Sequence, residues 1–243
     1  MMGFCIVAGG NPDMAAPVTG ILASDLAVGS TVKLMENGTA IEYLVVNQGK
    51  PSGSSLYDDS CDGLWLLRKD IKEKRRFHSS NVNNYANSTI HTWLNVGFFN
   101  QFGSIEQAAI KQVKIPYVNG TGGSSVASGS SGLSAKIFFL SGYEIGVTTS
   151  DFSDLPVDGA KLSYFYSGTG STATSRRKAY LSGTVSAWWL RSPYTDDTVS
   201  THCFGTNGFV GIYSGSSSGA RPALILPSNA RFDEETLILK GVA

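Results

Sequence analysis

The stretch Trp188-Trp189-Leu190-Arg191-Ser192-Pro193, answered downstream by Gly219-Ala220-Arg221-Pro222-Ala223-Leu224, decides how this chain is read. Adjacent tryptophans carry a large apolar area, and their indole N–H groups need partners once buried. Arg191 and Arg221 lie inside apolar runs, where a guanidinium is held by a carboxylate, a carbonyl or an aromatic face. Pro193 and Pro222 fix the backbone and remove a donor, so each marks a strand end or edge. Between the two blocks, Tyr194 to Gly219 is polar and rich in Gly, Ser and Thr. The pattern predicts two core strands bracketing an exposed excursion.

Outward from this pair, the upstream chain also reads as short strands. Val32 to Met35 alternates, Glu36-Asn37-Gly38 signals a turn, and Ile41 to Val46 completes a hairpin. Leu64 to Leu67 and Lys136 to Ser141 are apolar runs of strand length, and Glu144 is placed to cap or to pair with an arginine. Ser88 caps a helix with Ile90, Trp93 and Leu94 at helical spacing. Ser104 to Gln107 reads as a capping box with Ser104 at the N-cap and Ile105, Ala108 and Ala109 on the inner face. Residues 148–182 read as polar and irregular, while Val199 to Phe204, Phe209 to Tyr213 and Ala223 to Leu226 read as short strands of a small antiparallel sheet. The fold class is α+β, with small antiparallel sheets, one or two main helices and long loops. Residues 1–24 form an arm or connector, and 25–243 one domain.

Composition narrows the function. Nineteen basic residues balance nineteen acidic ones in 243, which favours neither nucleic acid nor an anionic membrane. The start lacks a basic n-region, and no window reaches membrane-span length, so a soluble protein made in the cytoplasm is expected, without signal peptide or membrane insertion. The cysteines, Cys5, Cys61 and Cys203, form no C-x-x-C pair. Free thiols are favoured over a Cys61–Cys203 bridge. His78, His91 and His202 show no metal-ligand spacing. Asp58 to Gly63 lacks the spaced oxygens of a calcium loop, and no glycine-rich stretch carries a phosphate-cradle lysine. No metal and no cofactor is expected. His202 and Cys203, adjacent on a strand, point to opposite faces and make no dyad.

The 194–218 excursion offers Tyr194, Asp196, Asp197, His202, Phe204, Asn207 and Tyr213 among small polar residues. Binding loops use this vocabulary: rigid aromatics for contact area, small polar groups for adaptable hydrogen bonds. These seven are the candidate ligand-binding residues, and no catalytic set is visible.

The ordered motifs Tyr85-Ala86-Asn87-Ser88-Thr89-Ile90-His91-Thr92-Trp93-Leu94-Asn95, Lys136 to Glu144, Trp188 to Pro193 and Gly219 to Leu224 carry a resemblance over roughly residues 25–230. The chain resembles a bacterial and phage domain-of-unknown-function family of gut Firmicutes and their phages. That family is similar to the C-type-lectin-like fold of formylglycine-generating enzymes and of the variable proteins of diversity-generating retroelements. The resemblance makes Trp93, Trp188, Trp189, Arg191 and Arg221 scaffold positions and puts 194–218 where such folds display their ligand surface. The paired cysteines that hold copper in the oxidising enzymes are missing, as are the Glu-Pro-Asn and Trp-Asn-Asp calcium signatures of sugar-binding lectins. The resemblance thus implies a non-catalytic receptor-binding module, phage tail-associated (virion) or displayed on the bacterial cell surface. It would present 194–218 to a host-cell surface protein or glycan, as a homotrimer or beside other tail proteins. The alternatives are a structural virion subunit with these loops in oligomer contacts, and an unrecognised enzyme related to the formylglycine-generating enzymes.

Overall fold

The structure, a computed structural model, describes residues 17–51, 55–206 and 208–243. Ten strands build two five-stranded sheets: β1 (Thr31–Glu36), β2 (Thr39–Gln48), β3 (Leu64–Arg68), β4 (Glu73–Arg76), β5 (Ile137–Phe138), β6 (Trp188–Pro193), β7 (Ser200–Gly205), β8 (Gly208–Tyr213), β9 (Ser217–Ala220) and β10 (Ala223–Leu226). The first sheet runs β5-β10-β3-β2-β1 and the second β8-β7-β6-β9-β4. Their pairings are antiparallel except β6 with β9, which is parallel through Trp188 opposite Gly219. Gly219 is required there: a Cβ would lie 2.6 Å from the Ala187 carbonyl and 2.8 Å from Ile71. The α+β expectation of small, largely antiparallel sheets and few helices is met.

The two motifs do different jobs. All six residues from Trp188 to Pro193 are buried, and both indoles find carbonyls, Trp188 Nε1 donating to Arg177 and Trp189 Nε1 to Arg75 at 2.9 and 2.8 Å. Arg221 and Pro222 carry the chain from the second sheet to the first, between β9 and β10. The β3–β4 connection crosses in the opposite direction beside it. Arg221 joins the crossings, with Nε and Nη2 each donating at 3.0 Å, to the carbonyls of Arg68 and Lys69, and its guanidinium 4.9 Å from the Trp188 ring centroid. Proline suits a point where the strand leaves one ladder and needs no donor.

Arg191 anchors a fully buried polar knot. Its Nη1 and Nη2 each donate at 2.6 Å to Glu144, while Nε reaches the Pro116 carbonyl at 2.8 Å. The Tyr57 hydroxyl donates to the same carboxylate at 2.8 Å. Beside it the Ser192 hydroxyl contacts Asp158, whose carboxyl burial pushes up to about 7, aided by Glu144 and opposed by Arg191. The anticipated Glu144–arginine pair is this one.

The helices follow the sequence less closely. Ser88 caps α1 (Thr89–Thr92), its hydroxyl accepting from His91 N–H at 3.1 Å, and the turn continues as a π-helical segment over Trp93–Phe98. Trp93, half-buried, stacks on Phe98 and under the Arg75 guanidinium. Helix α2 (Ser104–Ala109) starts one residue earlier than the capping box implies, with Gly103 at the N-cap. Its buried face is Glu106, Ala109 and Ile110, while Ile105 is 46% exposed. The rotation is set by Glu106, whose carboxylate accepts from Met35 N–H at 3.0 Å across the chain. Helix α3 (Ser171–Arg177) occupies a segment read as irregular.

Order also begins before the expected boundary at residue 25. Ile21–Leu22 pairs with Ala230–Phe232, and Ala23 is buried in the core. The earlier part of the expected arm, 1–16, lies outside the described residues. Cys61 and Cys203 are buried free thiols, both pushed upward by burial, Cys61 to about 11.

Candidate functional site

The excursion holds the two short strands expected at 199–204 and 209–213, and they pair as a hairpin that leaves little of it an exposed loop. β7 and β8 pair in continuous register from Ser200 opposite Tyr213 to Gly205 opposite Gly208. Thr201, His202, Cys203 and Phe204 are all buried, because β7 lies between β6 and β8 with both faces covered. This corrects two of the candidate residues: His202 and Phe204 are buried within the hairpin and are not exposed on its surface. Asn207 lies outside the described residues.

The remaining candidates do meet on one surface. The turn from Tyr194 to Val199 folds back over the hairpin, and Asn83, buried and unflagged by the sequence, holds it. Asn83 Nδ2 lies 3.0–3.2 Å from the carbonyls of Tyr194, Asp197 and Ser200, and its backbone N–H donates to Thr198. Its Oδ1 accepts from Thr121 N–H at 2.7 Å. Asp197 tightens the same turn by accepting from the Val199 and Ser200 N–H groups at 2.8 and 2.7 Å. Burial pushes the Asp197 carboxyl up, but bonds from Ser200 and Val199 outweigh it and hold the group below the usual range.

So fixed, Tyr194 lays its ring over the His202 imidazole and against the Gly211 backbone, where a Cβ would overlap the ring. His202 and Gly211 are cross-strand partners, so the tyrosine covers one rung of the hairpin. Burial lowers His202 to about 4, partly offset by the Asp154 backbone and Asp197, so the imidazole is neutral at physiological pH. An open depression of about 530 Å³ lies alongside, between Tyr194, Asp197, Ser200, Gly211, Ile212 and Tyr213. Tyr213 is 60% exposed at its rim. Asp196 is exposed nearby. Burial, then the charges of Asp196 and Asp197, raise Asp154 above its ordinary value, which marks a locally negative rim.

The surface therefore offers an exposed phenol, a second aromatic ring in a fixed pose, an aliphatic contact at Ile212 and acidic acceptors. Such a set binds hydroxyl-rich or cationic groups by stacking and hydrogen bonding. Among the described residues no group of three or more His, Cys, Asp and Glu side chains converges as a metal site. No helix there is long and apolar enough to cross a membrane.

No curated protein and no solved structure matches the chain. One family model does, Domain of unknown function (DUF6273), over residues 62–228, a span that takes in β3 through β10, the Arg191–Glu144 pair and the whole hairpin surface. The chain belongs to the DUF6273 family.

Proposed function

We propose that this protein is a non-catalytic binding module that presents the 194–218 hairpin to a host-cell surface protein or glycan. The proposal includes a C-type-lectin-like architecture, set on a phage tail or a bacterial cell surface. The observation that carries the reading is the pairing of an exposed Tyr213 with a Tyr194 held rigid by Asn83, around one open depression. A rigid aromatic spends little conformational entropy on binding, and contact aromatics are the residues that dominate interface energetics. Glu144 is fully buried and already occupied by Arg191 and Tyr57, which supports binding over catalysis at that carboxylate.

One observation favours the structural-subunit alternative. β8 is the outer strand of its sheet, and an edge strand offers its backbone groups to a neighbouring copy. A single experiment separates the two. Purified protein is incubated with intact candidate host cells and with an immobilised glycan panel, as wild type and as Tyr213→Ala. Saturable binding that falls at least about fivefold in the variant supports the module, since a contact aromatic contributes on the order of 1 kcal/mol or more. No saturable binding, with a concentration-dependent trimer or larger assembly by light scattering, overturns it in favour of the subunit.

A further inference from the structure

A second cavity, distinct from the depression at Tyr213, lies near the turn end of the hairpin. It holds about 320 Å³, room for a small molecule, and its walls include Asp151, Thr169, Thr174, Arg177, Phe204 and Gly208. Arg177 is its unusual member. The residue is fully buried, with Nε donating to the Ile145 carbonyl and Nη2 to the Tyr166 carbonyl, both at 2.7 Å. Nη1 is buried with no hydrogen-bond partner among the described residues.

The other deeply buried arginines show what is missing. Arg191 is neutralised by Glu144, and Arg68 by Glu36 at 2.9 Å. Arg221 has no carboxylate either, but all three of its nitrogens reach carbonyls. Arg177 alone of the four combines an idle nitrogen, no ion pair and a place in a cavity wall. A buried donor left unmade is costly, and a buried charge is normally paired. Burial lowers the Arg177 guanidinium to about 10, with Asp151 working the other way, which leaves it charged at neutral pH.

Asp151 shares the cavity wall and sets the ligand class. Its Oδ2 is engaged by the Thr148 N–H and hydroxyl at 2.9 and 3.0 Å, while Oδ1 accepts no hydrogen bond among the described residues. A simple anion would gain Arg177 and meet the Asp151 charge unfavourably. A molecule with a carboxylate and an ammonium on the same carbon satisfies both. The Phe204 ring, 5.9 Å from the Arg177 guanidinium, supplies apolar wall for the rest of the molecule. We propose that this cavity is a binding site for a small zwitterion of the α-amino acid class, its carboxylate received by Arg177 Nη1 and its ammonium by Asp151.

The test is an NMR titration of the intact protein with L-alanine, L-leucine, propionate and n-propylamine, each to about 50 mM, a range that captures weak binding. Saturable shifts clustered at Thr169, Thr174 and Gly208 with an amino acid, at least about tenfold tighter than with propionate or the amine, support the proposal. Arg177→Lys also touches structural carbonyls, so Asp151→Asn is the second variant, since asparagine retains an acceptor for Thr148. It should weaken the amino acid about tenfold or more and leave propionate unweakened. No saturable shift with either amino acid overturns the assignment, as does equal binding of propionate and L-alanine. Because the readout lies at this cavity and uses free amino acids, its failure is separate from failure of cell binding at Tyr213.

Discussion

The ring of Tyr194 lies almost parallel to the imidazole of His202, with centroids 4.2 Å apart and 19° between the planes. One residue is partly exposed and the other wholly buried, so the stack links the candidate surface directly to the core. The tyrosine reaches that pose because Gly211 has no side chain beneath it.

Substitution Gly211→Ala therefore moves Tyr194 without dismantling the hairpin, since the atoms in conflict belong to the free end of the ring. The expected result is a change in the ring-current shifts of the His202 protons, a thermal midpoint close to wild type, and weaker ligand capture at the depression. Unchanged His202 resonances would contradict the geometry.

Loss of Asn83 should loosen the same surface from below. Asn83→Ala removes the amide that three carbonyls of the 194–200 turn share, and leaves them to water or to nothing. A cost of about 1–3 kcal/mol is expected from such unmade bonds. Hydrogen exchange should accelerate first at the Tyr194 amide, which donates to Ser200 across the turn.

The Arg191 knot predicts an asymmetric stability response. Glu144→Ala strands a fully buried guanidinium and should destabilise by about 3–5 kcal/mol in urea titrations. Replacing both partners, Glu144→Leu with Arg191→Met, should recover much of that loss, because two desolvated charges leave together. A single-variant loss below about 1 kcal/mol would be inconsistent with the pair as described.

Acid should weaken the fold through its histidines. His91 and His202 are both held near 4 by burial, against 6.5 when free. Between those values the unfolded chain binds protons that the folded one refuses, so these two contributions are complete above about 6.5 and are lost as pH falls toward 4. Asp158 acts in the opposite sense. With its carboxyl raised from 3.8 to about 7, the folded state binds the extra proton, and its contribution declines as pH rises through that window. Asp154, raised as well but less strongly, acts with Asp158, and the two fully shifted histidines outweigh that pair to give a net rise in stability from pH 4 to 6.5. Thermal midpoints across that range should show a shallower slope for His91→Gln and a steeper one for Asp158→Asn.

Much of the frame is legible in the sequence because it rests on local chemistry. Two tryptophans and an arginine ahead of a proline read as a buried strand with a partnered charge, and the structure supplies Arg75, Arg177 and Glu144 as the partners. Ser88 reads as a cap and is one. What the sequence conceals depends on distant groups. Glu106 looks like a solvated helix residue until the Met35 N–H is brought to it. Val199 to Phe204 reads as a strand, but His202 and Phe204 read as displayed contacts because composition does not reveal that strands flank them on both sides. Asn83 and Arg177 carry no local signal at all: one sits among asparagines, the other in a basic triplet that resembles a solvated patch.

The paired crossings at Arg68 and Arg221 also bear on how the chain comes to be folded. The Arg221 Nε bond to Arg68 joins residues 153 positions apart, and β10 enters the first sheet between β5 and β3. Neither sheet can close until residues 217–226 have emerged from the ribosome. Until then Trp65, Trp188 and Trp189, all buried in the finished protein, lack part of their cover. Topologies with such long-range closure fold slowly and expose sticky intermediates. Truncations anywhere before Leu226 should consequently yield insoluble chains, not smaller working domains.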